Sequence, residues 1–138
     1  MKAVSLLIVA LVTISFASFA KASDYLTNLD EAIAQATAEK KALFIMYGRD
    51  ACGNCNVLKK LVAKKDVRLP KASFLIVDLN CDDPATSAAF RDRYKVDGNT
   101  LPFVVIANSD GSQIASRTGY GNDKDFNEFV REARKDIK

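Results

Sequence analysis

A chain of 138 residues is long enough for one domain with a real core. It holds three cysteines and no histidine, and its formal net charge is +3. The missing histidine excludes Ser-His and Cys-His catalytic pairs. Three thiols fall short of a Cys/His zinc site, and so small a net charge does not call for nucleic acid.

The chain opens on a leader. Met1-Lys2 supplies one positive charge, residues 3–20 are apolar apart from Ser and Thr, and Ala20-Lys21-Ala22 forms a small-x-small cleavage pattern. This predicts a secretory signal peptide over residues 1–22, cut after Ala22, with the domain over 23–138. An uncleaved anchor is the alternative, because the apolar run is close to the shortest length that spans a bilayer. Cleavage removes Lys2 and Lys21 and lowers the net charge from +3 to +1. The expected location is periplasmic or secreted, with no membrane contact after cleavage.

Thr27-Asn28 caps a helix reaching about Lys41, with Asp30 and Glu31 in its first turn and Ala32, Ile33, Ala36 and Ala38 as its apolar positions. Leu43 to Tyr47 lacks alternation and reads as a strand buried on both faces. Gly48-Arg49-Asp50-Ala51 is a turn into Cys52-Gly53-Asn54-Cys55, and a helix then runs from about Gly53 to Lys65. Phe74 to Leu79 is a second buried strand. Pro84 begins a helix to about Tyr94, with Ala88, Ala89 and Phe90 as inward positions. Pro102 to Ala107 is a third strand, Asn108-Ser109-Asp110-Gly111 a hairpin turn, and Gln113 to Thr118 the returning strand. Asn122 or Asp123 caps a last helix whose apolar face carries Phe126, Phe129 and Val130. Alternation of the first three strands with helices favours parallel pairing among them, and the hairpin adds an antiparallel edge.

Two cysteines three residues apart at a helix start have a chemical consequence. Unpaired N–H groups and the positive dipole end bias the first thiol toward thiolate, and the second can close a disulfide on it. That suffices for thiol–disulfide exchange. A purely structural Cys52–Cys55 bridge is the plain alternative in an oxidising compartment, although so short a loop stabilises weakly. A soft-metal carrier using the same two sulfurs is a weaker one.

The element order, with Cys52-Gly53-Asn54-Cys55 between the first strong strand and its helix and with Leu101-Pro102-Phe103 before the hairpin, resembles the thioredoxin superfamily. The resemblance spans roughly Leu26 to Ile137. It implies an α/β thioredoxin fold, a central mixed sheet of four or five strands flanked by helices. It also implies a cis-proline at Pro102 beside the dithiol, Cys52 as nucleophile and Cys55 as the more buried resolving thiol. Pro102 would shape a groove in which the Leu101 backbone pairs with an extended substrate. The implied activity is protein thiol–disulfide oxidoreductase, with protein thiols or disulfides and a redox protein as partners, a monomeric state and no cofactor or metal. Oxidant, reductant and isomerase use the same two sulfurs, and their direction follows from the relative stability of the two redox states.

The departures matter. Ala51 precedes Cys52 where thioredoxins proper carry Trp, Gly53-Asn54 stands where they have a Pro, and the chain has no Trp. Ile45 or Met46 replaces the family's buried strand Asp, so the chain looks more like exported thioredoxin-like proteins, including the disulfide-bond (Dsb) group. Asp78 is a candidate substitute as proton acceptor for Cys55; a strand-end Asp facing water is the alternative. Cys81 lies on the active-site edge, as a third functional thiol or a small buried residue. Arg49 is expected to favour the Cys52 thiolate and Asp50 to oppose it. Lys59, Lys60, Lys64, Lys65, Arg68 and Lys71 read as a solvated basic face.

Overall fold

The structure is a computed structural model describing residues 25–119 and 121–138. The leader over residues 1–22 lies outside the described residues. No helix among the described residues is long and apolar enough to cross a membrane.

The elements follow in the order α1 (Leu29–Glu39), β1 (Ala42–Gly48), α2 (Gly53–Ala63), β2 (Phe74–Asn80), α3 (Pro84–Arg93), β3 (Phe103–Ala107), β4 (Gln113–Thr118) and α4 (Asp123–Ala133), with a 3-10 turn over Arg134–Asp136. One four-stranded sheet has the order β2-β1-β3-β4. Strand β1 is buried at every residue because it is interior to the sheet and covered on both faces. Leu43, Ile45 and Tyr47 point into the core under α1 and α3. Phe44 and Met46 point into the core with Leu58 and Val62 of α2 and Phe126 and Val130 of α4.

The expected parallel pairing holds for β1 with β2, from Ala42↔Phe74 to Gly48↔Asn80. It fails for β3, which runs antiparallel to β1 from Leu43↔Ala107 to Tyr47↔Phe103. β2 therefore ends, and β3 begins, at the same edge of the sheet. The reason lies after α3. The end of the helix reaches the opposite edge, where the Tyr94 hydroxyl meets Gly111 O in the turn between β3 and β4, and residues 95–102 then bring the chain back before β3 begins. Phe90, the one buried residue of α3, stacks on Tyr47 at 4.1 Å. Ala88, expected inward, is exposed, and so is Ala38 of α1, whose buried positions are Leu29, Ala32 and Ala36.

Side chains set the helix starts. Asn28 accepts from Glu31 N–H, Asp83 from Thr86 N–H with Pro84 in the first turn, and Asn122 forms a reciprocal capping box with Asp125. Helix α1 stops short of the expected Lys41 because Lys40 turns left-handed, with φ 55°.

Tyr94 follows α3, buried against Phe90, and its hydroxyl donates to Gly111 O at 2.9 Å. Burial pushes this phenol from its ordinary 10.0 up to about 12. Below pH 10 both folded and unfolded chains carry it neutral. Between about 10 and 12 the unfolded chain ionises first, so stability falls as pH rises. Urea unfolding from pH 9 to 12 should show this loss, and Tyr94→Phe should flatten it while costing about 1 kcal/mol at neutral pH for the lost hydrogen bond.

Candidate active site

Strand β1 delivers the chain to a tight turn at the sheet's edge. Cys52 N–H donates to Arg49 O at 3.3 Å, and the Asn56 side-chain amide donates to Asp50 O at 2.9 Å, which locks the turn from both sides. Cys52 is then the N-cap of α2, and its Sγ accepts the Cys55 N–H at 3.1 Å. A sulfur thus takes the place that Ser, Asn or Asp oxygens take at other helix starts. The two cysteines are joined by a disulfide, with their Cα atoms 5.2 Å apart. Cys55 is buried and Cys52 half-buried, so solvent meets the first sulfur more readily.

Cys55 lies against Gly48, the last residue of β1. A Cβ on Gly48 would sit 2.7 Å from Cys55 Sγ and 3.1 Å from Cys55 Cβ. Sequence reasoning treats Gly48 only as the start of a turn, whereas its missing side chain is the seat of the second cysteine. No local signal marks this, because the contact joins a strand end to the helix that follows.

The ladder also brings Pro102 to this place. The β1–β3 register ends at the Tyr47–Phe103 pair, and Gly48 and Pro102 are the chain neighbours of that pair. The Leu101–Pro102 peptide bond is cis, and Pro102 O accepts the Gly119 N–H at 2.9 Å. Pro102 is buried and Leu101 half-buried.

Asp78 stands across from Met46 in the β1–β2 ladder, on the α2 side of the sheet, and its side chain is partly exposed. Its carboxylate is 3.0 Å from Lys59 Nζ, which also lies 3.6 Å from Asp50. Lys59 is four residues after Cys55, hence on the same side of α2. Sequence reasoning placed it on a solvated basic face; the i, i+4 spacing from Cys55 was the available signal.

Cys81 separates from the dithiol. Its N–H donates to Gly48 O at 2.7 Å, but its side chain packs on the α1/α3 face, while Cys55 meets Gly48 from the α2 face. The sheet edge stands between them. Arg49 lies beside Cys81 and Asp82. Its guanidinium is 3.3 Å from Asp82, and its pKa is raised first by its polar contact with the Cys81 side chain and then by the neighbouring Asp82 carboxylate.

A family model described as a thioredoxin-like domain matches residues 29–134. The chain belongs to the thioredoxin-like family. Among solved structures, this thioredoxin-like chain is similar to a mutant thioredoxin from Halobacterium salinarum NRC-1, with a TM-score of 0.59, 18% identity, and coverage of 79% of this chain and 88% of that one. At that identity the likeness concerns the fold. No curated protein matches.

Gly48→Ala should push Cys55 off β1 and cost about 1–3 kcal/mol, as overpacking does. Urea denaturation of oxidised wild type and variant measures it. A variant as stable as wild type would mean that the strand end yields freely.

Proposed function

We propose that this thioredoxin-like chain is an exported thiol–disulfide oxidoreductase that exchanges disulfides with protein substrates through Cys52 and Cys55. One observation carries the reading: the half-buried Cys52 sulfur caps α2 and accepts the Cys55 N–H, while its disulfide partner is buried. In the reduced protein the same cap favours a Cys52 thiolate. That thiolate attacks a substrate disulfide, forms a Cys52–substrate disulfide and expels a substrate thiolate. Cys55 then gives up its proton and attacks Cys52 Sγ, which restores the internal disulfide and releases the second substrate thiol. Two electrons pass to the substrate, and the reverse sequence oxidises it.

Asp78 is the proposed proton acceptor for Cys55. It lies on the α2 side of the sheet, oriented by Lys59, which projects from one turn beyond Cys55. Leu101 would offer its backbone to an extended substrate strand, with Pro102 shaping the groove beside Cys52. Export rests on the charge, apolar run and small-x-small pattern of residues 1–22.

Cys55→Ala should trap mixed disulfides through Cys52. They would appear as bands on non-reducing gels, collapse with dithiothreitol and be absent from Cys52→Ala/Cys55→Ala. Failure to trap any disulfide-bearing protein would remove the enzymatic reading. Asp78→Asn, which keeps the side-chain volume, should slow exchange by on the order of 10²-fold at neutral pH and alter its pH profile. Unchanged rates across pH would remove Asp78 from the mechanism.

A further inference from the structure

A cavity of about 120 Å³ opens beside Leu101, on the α3 side of the same sheet edge. It lies between the end of β1, helix α3 and the segment leading to Pro102, with Tyr47, Arg49, Cys81, Ser87 and Arg91 in its wall. We propose that it is a subsite for one acidic side chain of the substrate polypeptide, held by the guanidiniums of Arg49 and Arg91. The inference rests on the redox reading above, since the backbone of that acid would belong to the strand received by Leu101.

Size argues for a single side chain. The cavity is smaller than the roughly 150 Å³ void that accepts a benzene ring, and well below the roughly 300 Å³ at which sites for whole small molecules begin. Charge argues for an acid. The wall contains two arginines and no carboxylate. Arg91 makes no ion pair among the described residues. Arg49 has one, to Asp82 at 3.3 Å, made through a single one of its nitrogens. A guanidinium offers five N–H donors in a fixed fork, so both arginines keep donors for a carboxylate. Polar atoms complete the wall. The Tyr47 and Ser87 hydroxyls are hydrogen-bonded to each other at 2.8 Å, and the Cys81 thiol lies beside Arg49. Position argues for a substrate side chain. Leu101 lines the cavity and adjoins Pro102, so a chain paired along Leu101 would carry its neighbouring side chains past the opening.

The test uses short extended fluorescent peptides with Ser at the target-cysteine position and either Glu or Gln at one flanking position. Their affinity for the oxidised full chain is read by anisotropy. One Glu register should bind roughly tenfold more tightly than its Gln counterpart, and Arg91→Gln should bring that ratio close to one. Equal affinity for Glu and Gln in every register, no binding of either, or a preference that survives Arg91→Gln would overturn the subsite. Exchange of the reduced chain with a small aromatic disulfide, run in parallel, isolates the redox centre. Exchange without a Glu preference removes the subsite alone, whereas a Glu preference without exchange removes the redox reading and leaves a carboxylate-binding cavity.

Discussion

The seating of Cys55 on Gly48 is the contact on which the rest of this site depends. Strand β1 is interior to the sheet and fully buried, so its end is a fixed point. Gly48 has no side chain, and the Cys55 sulfur occupies the space that a Cβ would need. With Cys55 held there, α2 can begin only where Cys52 caps it. The β1–β3 ladder ends at the Tyr47–Phe103 pair, whose chain neighbours are Gly48 and Pro102. One close approach therefore holds the dithiol and the start of α2 against the end of β1.

The sheet edge divides the surrounding chemistry in two. On the α2 side lie Cys55, Lys59 and Asp78, an acid held by a lysine one turn from the buried sulfur. On the α3 side lie Cys81, Arg49 and Arg91, a thiol and two cations around a small cavity. Alternation along β1 produces this division, because Tyr47 faces α3 and Gly48 faces α2.

Much of this was legible in the sequence. The uninterrupted run in β1, the cap residues Asn28 and Asn122 and the Gly111 turn announce themselves through local rules. Cys52, Cys55 and Pro102 stand out by spacing and by their order among the elements. What escaped reading depends on tertiary contact. The direction of β3 follows from the return of the chain over residues 95–102, which no periodicity records. The role of Gly48, the pairing of Lys59 with Asp78 and the turning of Arg49 toward Cys81 join elements distant in sequence or opposed across a sheet. Helix patterning also misled at Ala38 and Ala88, because alanine carries too little apolar surface to declare which face is inward.

The reduction potential of the Cys52–Cys55 pair tests the central claim most directly. A disulfide closing so short a loop gains little from chain entropy, and the α2 cap stabilises the thiolate that competes with it. Equilibration of the purified chain against graded thiol–disulfide buffers should therefore give a value between about −270 and −120 mV, the span of working dithiol proteins. A value below about −300 mV would mark a static structural bridge and contradict a redox role.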